Sequence, residues 1–170
     1  FRRLRDRLVL TSTLSKTYAM TGHRVGYAVG AKSLISAMAI VQSHDCTHPS
    51  AAMQVGAVEA LTGPQDEVER MIAEYRGRRD VMVTGLRSIP GITCVKPPGA
   101  FYAFPGVAGI YDALGVRDSF GVAGALLTKA RIATVPGEAF GAPGYLRFSY
   151  ALSTERIREG IERLRDAVAR

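Results

Sequence analysis

Residues 11–30 read TSTLSKTYAMTGHRVGYAVG. The run sets Lys16 behind a short apolar and hydroxyl-rich segment, with Arg24 following in the same stretch. Lys16 is one of four lysines, with Lys32, Lys96 and Lys129, in a chain whose other eighteen basic residues are arginine. Arginine keeps its proton in a protein, whereas lysine can be driven to a neutral, nucleophilic amine. For an arbitrary lysine in a loop the ordinary reading is a solvated surface charge. What decides between the two is the company Lys16 keeps.

Working outward, residues 7–11 (RLVLT) form a short apolar run of the kind a buried parallel strand shows. That strand would end just before Lys16, and in open α/β sheets ligands collect beyond the carboxyl ends of strands. A second strand is expected over residues 24–29. The intervening loop is too short for a helical crossover, so the second strand should run antiparallel to the first. Residues 33–42 (SLISAMAIVQ) predict a buried helix with Ser33 as its cap, and residues 51–61 predict another. Between them, His44, Asp45, Cys46 and His48 crowd together before Pro49. Their spacing fits no standard zinc signature, which favours a loop and gives no metal site.

Pro64 is placed as a first helical residue, and Asp66 and Glu67 suit the positive start of a helix. The long helix it opens carries Val68, Met71, Ile72, Tyr75, Met82 and Leu86 on one face, interrupted by Arg79. Beyond it the rhythm changes. Short strands are expected over 92–95, 100–104, 132–135 and 145–150, with helices over 120–129 and from Ser153 onward. In YLRFSY, Leu146, Phe148 and Tyr150 take one face and Arg147 and Ser149 the other. The mixed order suggests a small α+β domain, with a boundary near Gly63.

Composition narrows the function. In 170 residues the chain is 47% hydrophobic and 22% charged, as in a soluble globular protein. No apolar run approaches the roughly 20 residues that span a bilayer, and no secretory leader opens the sequence, which begins with Phe1 rather than Met. A fragment or processed product is the expectation. The net charge of +7 raises nucleic-acid binding, but the arginines are scattered and no nucleic-acid motif accompanies them. Cys46 and Cys94 are far apart, as in a cytoplasmic protein with reduced thiols.

Three motifs carry chemistry. Arg24, with a planar fork suited to phosphate, is read either as an anion ligand or as an ion pair at a strand start. Thr13 and Ser15 add neutral donors. Arg147 follows the glycine-rich run 136–144 (PGEAFGAPG) and is read either as an anion ligand or as the polar face of an edge strand. Residues 98–104 (PGAFYAF) place Phe101 and Tyr102 in a strand, where such residues are more often core than site.

Leu14, Ser15, Lys16, Ala19, Met20, Gly22, Arg24, Val25 and Gly26 together resemble the cofactor-lysine signature of class I aminotransferases, enzymes of fold type I that depend on pyridoxal 5'-phosphate (PLP). SKTYAMTGHRVGY is similar to the aspartate-aminotransferase-like branch, with two departures. Thr13 stands where the pattern has Gly or Ser, and His23 where that branch commonly has Trp. VPGEAFGAPGYLRFSYA (135–151) and PGAFYAF resemble further motifs of the same family.

The resemblance implies an α/β fold. Residues 1–63 would end the large-domain sheet that binds PLP, and residues 64–170 would form a bridging helix and a small α+β C-terminal domain. It implies a transaminase that moves an amino group between an amino acid and a 2-oxo acid through a PLP Schiff base on Lys16. Arg24, Thr13 and Ser15 would hold the cofactor phosphate, and Arg147 would clamp the substrate carboxylate. A cytoplasmic homodimer is implied, with no nucleic acid and no membrane as partner. It covers only the C-terminal part of the family's length: the carboxylate for the pyridine nitrogen lies upstream, and Asp6 is wrongly placed to replace it. A lyase or decarboxylase on the same scaffold, or a non-catalytic module of similar fold, are the alternatives.

Overall fold

The structure, a computed structural model, describes residues 2–169. The contact pattern divides the chain into two compact units, residues 1–70 and 71–170.

In the first unit a 3-10 turn (Arg2–Arg7) leads into β1 (Val9–Thr13), which pairs antiparallel with β2 (Gly26–Gly30). The antiparallel pairing is the one expected from the short connection. Thr13 faces Gly26 at the inner end of the ladder, so both strands begin or end at the Lys16 loop. Helices α1 (Lys32–Asp45) and α2 (Ala51–Thr62) follow. Ser50 caps α2, its side chain accepting from the Met53 amide.

Four expectations are corrected here. Strand β1 starts at Val9 and is largely exposed rather than buried, with Leu10 at 53% and Val29 of β2 at 59%. A two-stranded ribbon has no second layer among the described residues to cover it. Helix α1 likewise buries no residue, and it starts at Lys32. Ala31 occupies its cap position without a side-chain hydrogen bond, which leaves Ser33 inside the first turn and unable to cap. His44 and Asp45 belong to the last turn of α1 rather than to a loop, and Cys46 follows directly. Among the described residues no group of three metal-ligating side chains converges.

What the first unit buries is the underside of the Lys16 loop. Leu14, Met20 and Val25 pack with Ala57 of α2, and Tyr18, Met53 and Ala60 close over them. Gln65 ties down the exit of α2 through bonds from Nε2 to the carbonyls of Ala60, 3.0 Å, and Gly63, 2.9 Å.

Helix α3 (Asp66–Arg87) opens two residues after Pro64, which corrects the expected start. Met82, Val83 and Leu86 are its buried face. Arg79 does not break that face by exposure. Its side chain is only 16% exposed, and the guanidinium is used by Asp80, 2.9 Å, and by the Pro97 carbonyl, 3.4 Å.

The second unit's core joins this face to β3 (Tyr102–Ala103), α4 (Tyr111–Leu114), α5 (Ser119–Ala125), β5 (Leu146–Ser149) and α6 (Thr154–Ala169), and β4 (Val135–Pro136) pairs alongside β5. The three strands form one antiparallel sheet in the order β3-β5-β4. The expected strands at 92–95 and 100–104 shrink to a Thr93–Gly106 bridge and to β3. Pro97 and Pro98 have no amide to donate to a ladder between them. Helix α5 is capped by Asp118, whose carboxylate accepts from the Gly121 amide at 2.7 Å, and runs into a π-helical turn (Leu126–Ala130). Against α3 lies α6, which buries Ile157, Ile161 and Leu164. Gly85 permits this approach, since a Cβ there would sit 2.7 Å from Ile161 Cγ1. No helix among the described residues is long and apolar enough to cross a membrane.

Candidate active site

The Lys16 loop is built from its ends inward. Leu14 N–H donates to the Val25 carbonyl at 3.3 Å, extending the β1–β2 pairing by one step. Beyond it the chain turns: Tyr18 N–H donates to the Leu14 carbonyl at 3.2 Å and Ala19 N–H to the Lys16 carbonyl at 3.3 Å. Lys16 therefore rides on a closed turn whose apolar residues point down into the Leu14–Met20–Val25–Ala57 cluster. The lysine itself is exposed.

Thr13 and Ser15 meet beside it. Their hydroxyls are 2.8 Å apart, Thr13 Oγ1 donates to the Val25 carbonyl at 3.1 Å, and Ser15 N–H donates to Thr13 Oγ1 at 3.2 Å. Arg24 adopts a left-handed backbone, φ 55°, as does Ala19, φ 53°. For residues with a Cβ this conformation is uncommon and costs about 1–3 kcal/mol, a cost concentrated at ligand clamps and active sites. Arg24 Nη1 donates to the Thr21 carbonyl at 3.0 Å, and among the described residues no acid forms an ion pair with it. The ion-pair alternative for Arg24 thus finds no partner among the described residues. The Thr13 proton is given to the Val25 carbonyl, but a guanidinium with donors to spare and a Ser15 hydroxyl that can turn from Thr13 toward a ligand are donors suited to a phosphate dianion, so the residues fit a phosphorylated cofactor.

Arg147 belongs to the second unit. On β5 it lies opposite Val135 of β4, while its neighbours Leu146 and Phe148 are buried at 0% and 6%. The expected alternation is therefore present, and Arg147 and Ser149 share the outer face. Tyr102 pairs with Ser149, which puts it diagonal to Arg147 on that face. The guanidinium carbon lies 4.4 Å from the Tyr102 ring centroid and 4.9 Å from that of Phe140. Tyr102 and Phe101, left open between core and site, are both half-buried, their rings 4.4 Å apart. Phe140 is the residue sequence reasoning missed. The available signal was a lone aromatic set between Gly137 and Gly141 just before the arginine strand.

The loop that delivers Phe140 is fixed by its own backbone. Gly137 N–H donates to the Tyr145 carbonyl at 2.8 Å and Ala142 N–H to the Gly137 carbonyl at 2.9 Å. Gly144 N–H donates to the fully buried Ser119 hydroxyl at 2.8 Å. A Cβ on Gly137 would stand 2.0 Å from the Ala142 carbonyl oxygen and 2.8 Å from that of Tyr145. Both are backbone atoms, so no side-chain rotation relieves the clash. Gly137→Ala is expected to cost about 2–3 kcal/mol, the scale of overpacking in a tight site. Urea unfolding of the full-length protein would read it, and wild-type stability would show that the loop has slack.

Beneath the strand, the Tyr150 hydroxyl donates to the Ala100 carbonyl at 3.0 Å, and burial pushes that phenol above its ordinary range, keeping it a donor. Ala100 is itself left-handed, φ 61°. This bond pins the turn from which Phe101 and Tyr102 emerge.

Residues 3–164 match the family described as aminotransferase class I and II. The aspartate aminotransferase of Rhizobium meliloti is 41% identical over 98% of this chain and 42% of its own length. That of Bacillus subtilis is 39% identical over 96% and 42%. A crystal structure of the Rhizobium meliloti protein superposes with a TM-score of 0.95 at 40% identity, over 100% of this chain and 44% of the other. The chain thus spans about 42% of the length of these relatives.

Proposed function

Because the chain belongs to the class I and II aminotransferase family, we propose that it carries the cofactor lysine and the substrate-carboxylate arginine of a transaminase acting on an amino acid and a 2-oxo acid. The family depends on PLP. The observation that carries the reading is the Lys16 loop. There the Thr13 and Ser15 hydroxyls meet just before the lysine in the chain, and Arg24, with no acid partner among the described residues, bonds back to the Thr21 carbonyl at the far end of the same loop.

In this reading Thr13, Ser15 and Arg24 bind the phosphate, and Lys16 Nζ holds the cofactor covalently. When bound, PLP supplies an aldehyde that accepts the amino group and a ring that takes up the electrons left at the substrate carbon. As a free amine, Lys16 Nζ would be the base that takes the proton from the substrate Cα. Arg147 would receive the substrate α-carboxylate through paired N–H donors and so fix how that end of the substrate is oriented. The names of the matched relatives support aspartate as the amino donor.

Residues 1–63 are assigned in this proposal to the PLP-binding large domain, and 64–170 to a bridging helix and the small domain. The rest of the large domain, including a carboxylate for the pyridine nitrogen, falls to the remainder of the full-length protein. A cytoplasmic homodimer completes the proposal. It is in keeping with the exposed Met38, Ile40 and Val41 of α1 and Val55, Val58 and Leu61 of α2, which leave apolar surface for other protein to cover.

Trapping tests the reading. The full-length protein, loaded with PLP and treated with borohydride, should give a stable phosphopyridoxyl adduct that peptide mass spectrometry locates at Lys16. An adduct confined to Lys32, Lys96 or Lys129 would overturn the assignment.

A further inference from the structure

We propose that Phe140 and Tyr102 are positioning residues that hold the Arg147 guanidinium ready for a carboxylate, with Phe104 and Tyr145 bracing Phe140 from behind. The inference rests on the reading of Arg147 as the carboxylate ligand and adds what makes that arginine effective.

An arginine side chain has many rotamers, and part of that freedom is lost when it binds an anion. A side chain already held gives up less on binding, so the ligand is bound more tightly. Proteins commonly hold an arginine with a carboxylate, but that partner would occupy the N–H donors a substrate needs. Here the holding group is aromatic. The guanidinium carbon is 4.4 Å from the Tyr102 centroid and 4.9 Å from the Phe140 centroid, and no acid forms an ion pair with Arg147 among the described residues. Ring faces attract the cation through its flat side, which leaves the N–H edge open for two parallel bonds.

The rings are themselves held. Phe140 meets Phe104 edge-on at 5.9 Å and 85°, and Phe104 stacks on Tyr145 at 5.2 Å and 14°. Tyr102 lies against Phe101 at 4.4 Å. Phe140 is 49% exposed and Tyr145 42%. Half-exposed aromatics linked edge and face to one cation are poorly explained as core. They are well explained as a clamp.

The test uses the full-length, PLP-loaded protein. Phe140→Leu keeps an apolar side chain without the π face, and Phe140→Tyr restores the face. Maleate, an unreactive dicarboxylate, reports binding by calorimetry, and steady-state kinetics report KM and kcat separately. The expected result for Phe140→Leu is a three- to tenfold rise in maleate Kd and in substrate KM, with kcat changed less than twofold and an unchanged melting temperature. Phe140→Tyr should recover wild-type values, and Tyr102→Leu should repeat the effect from the other ring. A Kd within a factor of 1.5 of wild type for both leucine variants overturns the clamp, as does an equal loss in leucine and tyrosine variants. Arg147→Ala separates the two readings. If it leaves maleate binding unchanged, the carboxylate assignment fails. If it weakens binding while both leucine variants do not, only the clamp fails.

Discussion

Lys16→Ala in the full-length protein is expected to lower the rate of amino-group transfer by at least about 10⁴-fold, because under the proposed reading one substitution would remove both the covalent tether for PLP and the base for the Cα proton. Lys16→Arg should be nearly as damaging. It keeps the positive charge and most of the side-chain length, but a guanidinium neither loses its proton nor attacks an aldehyde. Stopped-flow absorbance on a single turnover, with saturating amino acid, measures the step directly. Retention of more than a tenth of the wild-type rate by the arginine variant would reduce Lys16 to an electrostatic role. Folding should be unaffected, since Lys16 is exposed and the buried members of its loop are Leu14, Met20 and Val25.

That separation, an exposed functional side chain on a turn anchored by apolar neighbours, also explains what could be read from the sequence. Residues 11–30 disclosed the turn because its determinants are local. Hydroxyls and an arginine at fixed spacing, a tight connection between two strands and small residues where the ladder closes are all written in consecutive positions. YLRFSY was legible for the same reason, its period of two separating Leu146, Phe148 and Tyr150 from Arg147. Burial in the first unit was not legible. Hydrophobic runs such as RLVLT and SLISAMAIVQ predict a buried surface, yet Leu10, Ile40 and Val41 are 53%, 63% and 69% exposed. An apolar pattern states what a segment would cover, not whether the covering layer is present, and this chain matches only about 42% of its relatives' length.

Other failures came from side chains whose partners are distant in sequence. Arg79 reads as a defect in an apolar stripe until the Pro97 carbonyl is found beside it. Phe140 has no periodicity to mark it, and its meaning comes from a strand residue, Arg147, reached only through the loop's own hydrogen bonds. Ser33 looked like a cap by residue type alone, but a cap is a backbone conformation, and Ala31 takes it. Local signals therefore marked the candidate groups, while long-range contacts determine how those groups are held.

Arg147→Ala is expected to have the second large effect, a loss of about 10²–10⁴ in kcat/KM, equivalent to about 3–5 kcal/mol for removing one partner of a hydrogen-bonded charge pair. The loss should fall mainly on KM for amino and 2-oxo acids alike, because in the proposed reading both would present the same carboxylate to the same fork. Arg147→Lys should recover little. An ammonium offers a point charge without the two parallel donors, and it stacks less well on Tyr102 and Phe140. Stability should change by less than about 1 kcal/mol, since the strand is held by Leu146 and Phe148 on its other face and Arg147 makes no ion pair among the described residues. A substrate analogue in which an amide replaces the α-carboxylate gives the decisive comparison. Wild type should discriminate strongly against it, and Arg147→Ala should handle acid and amide almost equally, because the group that told them apart is gone. If the variant still prefers the acid by the wild-type factor, the carboxylate is recognised elsewhere, and Arg147 would be the outward-facing arginine of a strand whose two aromatic neighbours merely shield it.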